Sequence, residues 1–377
     1  MHAFTDLDLL PTLQASLKEL ALTTPTEIQR RALPALLAGR SVVGVAETGS
    51  GKTLAYALPI LQALKTLENN GSRVEANGRP RAVVIVPTRE LGEQVSKVFK
   101  PFTHTTRLRV RTVLGGTDID VAKQNISGGF EVLVATPGRL VKLLTRGLVK
   151  FDDVRILVFD EADQMLDQGF LPDATQIVAA CPPKRQLALF SATVSPLVEK
   201  LIAKLFVGAE VIRSQRSHKI VASLKTVNRL VINGDRLPLL TQALAEKATG
   251  GTILFTNTRE QCDALATIIV NMGRTCTIYR GEMDKVERRA NLKSFRDGKV
   301  ELLISTDLAS RGLDVEHVGR VINYHLPKEM ENYLHRVGRT ARAGRSGLVI
   351  NFVTERDQPL MDQVARLGAK PQGQPAR

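Results

Sequence analysis

The stretch Ala46-Glu47-Thr48-Gly49-Ser50-Gly51-Lys52-Thr53 limits what this chain can fold into more than any other. An apolar run, Ser41-Val42-Val43-Gly44-Val45, precedes it and reads as a buried strand; a helical pattern from Leu54 to Leu67 follows. Strand, glycine turn, Lys-Thr and helix in that order make a phosphate-binding loop. Glycines let the backbone curl so that several N–H groups converge on one anion. The helix N-terminus adds partial positive charge. The general pattern has glycine where Ala46 stands.

A second feature removes the ambiguity of a lone match. Arg155-Ile156-Leu157-Val158-Phe159 is another apolar strand and runs directly into Asp160-Glu161-Ala162-Asp163. Carboxylates at the C-terminal end of a strand are where an open parallel sheet holds a Mg²⁺ ion beside a nucleotide. A solvated acidic loop is the bland alternative, and it fits poorly directly after a hydrophobic strand.

At 377 residues the chain is long enough for two domains. No apolar run approaches the ~20 residues needed to span a bilayer. The start, Met1-His2-Ala3-Phe4-Thr5-Asp6, lacks a basic region followed by an apolar one, so no secretory signal is visible. Cys181, Cys262 and Cys276 have no metal-ligand spacing and fit reduced thiols. The expected location is the cytoplasm. The net charge of +14 favours a polyanionic partner, nucleic acid first. It is uneven: residues 1–212 carry 25 Lys+Arg against 21 Asp+Glu, residues 213–377 carry 27 against 17. The second half therefore has more cations available for phosphates.

Apolar runs alternate with helical patterns throughout, the signature of an α/β fold with parallel sheets covered on both faces. Strands are predicted at 41–46, 81–87, 108–114, 131–136, 155–160 and 186–191, then at 224–232, 251–256, 275–279, 301–306, 318–324 and 348–353. The polar, basic stretch Arg213-Ser214-Gln215-Arg216-Ser217-His218-Lys219 separates the two series. The expected division is a nucleotide-binding domain over 1–212, a linker over 213–219, a second domain over 220–368 and a disordered tail over 369–377. The second half has no phosphate loop, so it is expected to act on a nucleotide held by the first.

The order of AETGSGKT, PTRELG, TPGR, DEAD, SAT, STDLASRGLD and YLHRVGRTAR resembles the DEAD-box RNA helicases, from Phe4 to about Phe352. The bacterial helicase-core members look closest. The resemblance implies two tandem RecA-like domains, ATP and Mg²⁺ in the cleft, and RNA bound across both. It implies local strand separation of short duplexes, or remodelling of RNA–protein complexes, by a monomer away from any membrane. Ribonucleoprotein or RNA-decay partners are compatible with it.

The resemblance also assigns roles. Thr48, Gly49, Ser50, Gly51, Lys52 and Thr53 would cradle the phosphates, with Lys52 catalytic and Thr53 also on Mg²⁺. Gln29, in Pro25-Thr26-Glu27-Ile28-Gln29, would read adenine; an amide offers the donor and acceptor that adenine N7 and N6 require. Phe4 would stack on the base. Asp160 would hold Mg²⁺ and Glu161 would orient or deprotonate the attacking water. Ser191 and Thr193 would hydrogen-bond the acidic loop at Asp163 and couple RNA binding to hydrolysis, with Arg336 in the same group. Gly312 and Asp314 join the ATP site. His335, Arg339 and Arg342 would be catalytic, the two arginines as fingers on the γ-phosphate; a continuous helix would put the three on one face. RNA sugar-phosphate contacts fall to Thr88, Arg89, Gly115, Gly116, Thr136, Arg139, Thr258, Arg280, Gly281, Lys285, Arg288 and Thr306.

Several positions depart from the family pattern. Ala21 and Ala341 stand where glycine is usual, and Leu22 where an aromatic is. Arg280 replaces a histidine and Lys285 a glutamine, each adding positive charge. Aromatics make up 4% of the chain and Trp is absent, which favours backbone tracking over base stacking. Two other functions use the same residues: an ATP-gated RNA clamp that scaffolds a ribonucleoprotein, and a DNA-directed translocase. Multiple-turnover unwinding separates the first from a helicase, and stimulation by RNA against matched DNA separates the second.

Overall fold

The computed structural model describes residues 2–47, 49–74, 76–116, 118–214, 224–307, 315, 317–341 and 346–368. The side chains of Lys285, Glu331 and Leu367 are outside that description. So are Thr48, Gly312, Asp314, Arg342, linker positions 215–219 and the tail 369–377 among the sequence assignments. The chain divides into two compact units, Met1–Ser217 and His218–Arg377.

In the first unit the described strands are β1 (Val42–Val45), β2 (Ala82–Ile85), β3 (Val110–Val113), β4 (Val132–Ala135), β5 (Ile156–Phe159), β6 (Gln186–Ser191) and β7 (Glu210–Arg213). They form one parallel sheet in the order β3-β4-β2-β5-β6-β1-β7. Alternate residues feed two separate cores. Val42, Val84, Val158 and Phe190 pack on one face with helices α2 (Glu27–Leu37), α3 (Lys52–Asn69) and α4 (Arg89–Thr106). Val43, Ile85, Phe159 and Leu189 pack on the other, with α5 (Ile119–Asn125), α6 (Pro137–Thr145), α7 (Ala162–Asp167), α8 (Leu171–Ala179) and α9 (Pro196–Leu205). Burial on both faces is why these strands read as continuous apolar runs.

The strand order places β5, β6 and β1 side by side, so the acidic residues after β5, Ser191 of β6 and the loop after β1 emerge together. A ligand site in an open parallel sheet lies outside such carboxyl ends. Gly44 is required in β1: a Cβ there would sit 2.5 Å from the Phe190 ring. The edge strand β7 had no sequence signal because only Ile212 of its four residues is buried. Arg213, first in the polar stretch between the two series, closes that strand and pairs with Val45.

The second unit repeats the plan with β8 (Leu224–Leu230), β9 (Gly251–Thr256), β10 (Thr277–Tyr279), β11 (Leu302–Thr306), β12 (Val318–Asn323) and β13 (Gly347–Val353). Their order is β10-β11-β9-β12-β13-β8, again all parallel. Ile253, Phe255, Leu303 and Val321 line one core, with α13 (Met330–Val337) and α14 (Gln358–Gly368). Leu254, Ile304, Ile322 and Phe352 line the other, with α10 (Leu237–Ala245) and α11 (Arg259–Asn271).

Ala21 and Ala341 both have left-handed backbone, at φ 53° and 57°. These are the two alanines that stand where glycine is usual. An L-residue there costs roughly 1–2 kcal/mol, partly offset by the ~0.5–1 kcal/mol of extra entropy glycine loses on folding. Ala21→Gly and Ala341→Gly are each expected to stabilise their own unit, by about 0.5–1 kcal/mol. Calorimetric unfolding of the two variants checks this; lower stability in both would refute it.

Candidate functional site

Gly51, at φ 91°, is the N-cap of α3 and turns the loop into the helix. A Cβ at this position would lie 2.5 Å from Gln29 Nε2, so only glycine fits both the backbone angle and the space. Gln29 Nε2 donates to the Gly51 carbonyl at 2.9 Å, and Gln29 Oε1 accepts the Thr26 N–H at 2.9 Å. The amide is thus bound to the phosphate loop as well as to the start of its own helix. Ser50 Oγ donates to the Glu47 carbonyl at 2.6 Å, and Gly49 has φ 82°. Thr53 is half-buried in the first turn of α3. Lys52 is buried, and its Nζ donates to the Ala46 carbonyl at 2.8 Å, closing the loop on itself.

Asp160 is 2% exposed. Its Oδ1 accepts the Glu161 N–H at 3.0 Å and its Oδ2 accepts the Tyr56 hydroxyl at 2.8 Å. Burial pushes the Asp160 carboxyl up to about 6; the Lys52 ammonium pulls the other way and the Glu161 charge adds to the rise. Burial likewise pushes the Tyr56 phenol well up, so it stays a donor to Asp160. Tyr56 is a site residue that sequence did not single out. It lies in the apolar pattern of α3 and looks like any core aromatic; its ring packs 5.5 Å from that of Phe190.

Glu161 is buried with φ 48° and ψ 54°, a strained conformation for a residue with a Cβ. It caps α7 and turns the chain so that Asp163 faces β6. Asp163 is fully buried: its Oδ2 accepts the Ala192 and Thr193 N–H groups at 3.0 and 2.9 Å and the Thr193 hydroxyl at 3.1 Å. Its own N–H donates to Ser191 Oγ at 3.2 Å. The Ser191 carbonyl in turn accepts the Ala46 N–H at 3.0 Å. One hydrogen-bonded path therefore joins the acidic loop, Ser191-Ala192-Thr193 and the phosphate loop.

Phe4 departs from expectation. It is 2% exposed within the first core, its backbone bonded to Thr23, so its ring is core rather than a free stacking face. A base could reach it only if the segment before α1 (Pro11–Glu19) moved.

Among the residues proposed for RNA in this unit, Thr88 caps α4 and Arg89 pairs with Glu93 one turn on. The Gly115 N–H donates to Thr136 Oγ1 at 2.9 Å, which joins the ends of β3 and β4; Gly116 has φ 82° and Arg139 lies half-buried on α6.

In the second unit α13 ends at Val337, so His335 and Arg339 do not lie on one continuous helix; Arg342 is outside the described residues. Gly338 is a poor helix former, and the Arg339 and Thr340 N–H groups close tight turns onto Arg336 and Val337. Arg339 instead folds back, Nε donating to the His335 carbonyl at 3.0 Å, and is 3% exposed. Arg336 is 1% exposed and its guanidinium is engaged by its own unit. It grips Asp307 with Nε and Nη2, Asn257 with Nη2 at 2.8 Å, and Asn323 and the His325 carbonyl with Nη1. It also lies 5.1 Å over the Phe255 ring. Sequence grouped Arg336 with the coupling residues; its bonds make it a clamp on the strand ends.

Thr258 caps α11 through Gln261, Gly281 borders open space, and Thr306 ends β11. Arg288, on α12 (Lys285–Arg296), lies 5.6 Å over the Tyr279 ring. Arg280, expected to add positive charge, holds both oxygens of Asp263 at 3.1 and 3.2 Å. Such a partly exposed pair is worth about 0–1 kcal/mol, so a phosphate has to compete with Asp263 for it. Among the described residues no group of three or more His, Cys, Asp or Glu forms a ready metal cage. No described helix is long and apolar enough to cross a membrane.

The chain matches the family model for DEAD/DEAH box helicases over residues 26–201 and that for the helicase conserved C-terminal domain over residues 235–344. It is 35% identical to the ATP-dependent RNA helicase RhlB of Actinobacillus succinogenes, over 93% of this chain and 85% of that one. It is 36% identical to the DEAD-box ATP-dependent RNA helicase RhpA of Helicobacter pylori, over 93% of this chain and 70% of that one. The solved structure of S. cerevisiae Dbp5 bound to RNA and ADP BeF3 superposes with a TM-score of 0.85 at 28% identity, covering 99% of this chain and 95% of that one. With its two RecA-like sheets and motifs in family order, the chain belongs to the DEAD-box family of RNA helicases.

Proposed function

We propose that the chain hydrolyses ATP with residues drawn from both units, and uses that cycle to separate short RNA duplexes locally or to remodel RNA–protein complexes. The observation that carries the reading is the path from the phosphate loop through Ser191 and Thr193 to Asp163, two residues after the buried Glu161. It gives the base a rigid link to a loop that can respond to bound RNA. Lys52 and Glu161 belong to the first unit and Arg339 to the second, so hydrolysis would await closure of the two. An arginine finger supplied in this way is worth roughly 10³–10⁵ in rate.

Mg²⁺ fits the donor set. Thr53 and Asp160 offer hard oxygens, and this ion is usually held by one or two carboxylates plus substrate phosphates rather than by a protein cage. When bound it would neutralise charge on the β- and γ-phosphates. Tyr56 fixes the orientation of the Asp160 carboxylate, and Glu161 would accept the proton of the attacking water.

Gln29 would read adenine while remaining tied to Gly51, so base recognition and loop shape are linked. Gln29→Ala should weaken ATP binding and erode preference for ATP over GTP, because an amide set for adenine meets the wrong donors and acceptors on guanine. Equal use of ATP and GTP by the unaltered protein would defeat the assignment.

The decisive experiment uses Glu161→Gln, which keeps shape but removes the carboxylate. ATP and RNA should then raise each other's affinity by the same factor, turnover should stop, and RNA should stimulate the unaltered enzyme more than matched single-stranded DNA. ATP affinity is measured with and without RNA, and unwinding of a short duplex under multiple turnover. Absence of coupling together with absence of unwinding would overturn the reading.

A further inference from the structure

Three asparagines stand side by side across the second sheet. Asn323 on β12 pairs in register with Asn351 on β13, which pairs in register with Asn228 on β8. Asn323 and Asn351 are completely buried. In an otherwise apolar layer, unsatisfied amides would each cost about 1–3 kcal/mol, yet here they satisfy one another. Asn323 Nδ2 donates to Asn351 Oδ1 at 2.8 Å; Asn351 Nδ2 donates to Asn228 Oδ1 at 2.8 Å and to the Tyr333 hydroxyl at 3.1 Å. Asn323 Oδ1 accepts from Arg336 Nη1 at 3.2 Å. Every bond in this chain runs in one direction. Turning the Asn323 amide over would break its bonds to Arg336 and Asn351 together.

The ladder meets α13 at Tyr333 and Arg336, three residues apart and so on one face of the helix. Both are buried. Arg336 in turn holds Asp307, and Arg339 rests on the carbonyl of His335 in the same helix. The helix angle is therefore set by hydrogen bonds of fixed direction as well as by apolar packing, which tolerates small slides.

We infer that Asn323, Asn351 and Tyr333 are positioning residues. They orient Arg336 and the end of α13, and so determine where Arg339 stands when it acts on ATP. This rests on the reading of Arg339 as a finger. Because the phosphate loop and Gln29, which would hold ATP, lie in the first unit, the ladder sets the RNA-stimulated rate and leaves ATP binding to that unit unchanged. A residue that merely stabilised the second unit would lower the fraction of active enzyme and the melting temperature together, and its effect would vanish on cooling.

The test uses the full chain with Asn351→Leu, Tyr333→Phe and Arg339→Ala. Asn351→Leu removes both the acceptor and the donor at the centre of the ladder; Tyr333→Phe removes a single hydroxyl and keeps the packing. The readouts are kcat and KM for ATP with saturating single-stranded RNA, turnover without RNA, and thermal unfolding, all assayed well below the transition. Asn351→Leu should lose roughly 3- to 30-fold in stimulated kcat with KM and unstimulated turnover unchanged, and Tyr333→Phe should show a smaller loss of the same kind. If Asn351→Leu does not fold, Tyr333→Phe alone decides. Unchanged kcat in the folded variants, or a loss that disappears on cooling, overturns the ladder's role. If Arg339→Ala keeps full stimulated turnover, the finger reading itself fails; if it loses turnover while both ladder variants keep theirs, only the ladder proposal fails.

Discussion

Lys52→Ala is expected to lower RNA-stimulated ATP turnover by at least about 10²–10³-fold, the cost of removing one preorganised charge at a reacting group, while leaving the fold intact. The structure gives two reasons. Lys52 is the first residue of α3, directly after the left-handed Gly51, so its side chain starts where the loop opens. It also offsets the burial that drives the Asp160 carboxyl up. Removing it takes a cation from the phosphates and pushes Asp160 further from the anionic form a divalent ion requires. The lost bond to the Ala46 carbonyl costs only about 1 kcal/mol, so unfolding does not explain the loss. Steady-state hydrolysis alongside a thermal melt checks the result. Turnover within tenfold of the unaltered protein, at unchanged melting temperature, would place the phosphate site elsewhere.

Arg336→Leu should produce the largest loss of stability among the motif residues. The side chain is fully enclosed and bonded to Asp307, Asn257, Asn323 and the His325 carbonyl. Removing one partner of such a buried pair typically costs about 3–5 kcal/mol, since the other partners are left unsatisfied. For the second unit that corresponds to a fall of roughly 6–20 °C in melting temperature. Arg336→Lys should recover little of it: an ammonium is a point charge with three donors and cannot reproduce a planar fork that reaches four partners. Calorimetry of both variants checks this, with the first unit's transition as an internal reference. A loss under about 1 kcal/mol in Arg336→Leu would mean that the guanidinium is not engaged as the structure has it.

Much of the site was legible because its spacing is local. A strand, a glycine turn and a helix carrying Lys-Thr are consecutive in the chain, so Gly51, Lys52 and Thr53 could be placed by counting residues. The same holds for Asp160 and Glu161 at the end of β5. Where local reasoning was extended too far, it failed for identifiable reasons. The helix bearing His335 ends at Val337, because a glycine and tight turns follow. Phe4 looked available for stacking since a 3-residue segment near the start of a chain gives no sign of what will cover it.

What the sequence by itself determined is most of the element list, edge strand β7 excepted, and the chemistry at the strand ends. Apolar runs buried on both faces specify parallel strands, and the motifs at their ends specify phosphate-binding chemistry and, by their order, the family. What only the tertiary structure decided is which distant side chains become neighbours. Arg280 meets Asp263, 17 positions away, and its charge is partly neutralised. Tyr56 meets Asp160, 104 positions away, and becomes part of the site. Asn228 meets Asn351, 123 positions away, and closes a polar ladder under α13. Each of these depends on the order in which strands lie in the sheet. That order is chosen by the packing of both cores at once, so no window of sequence contains it.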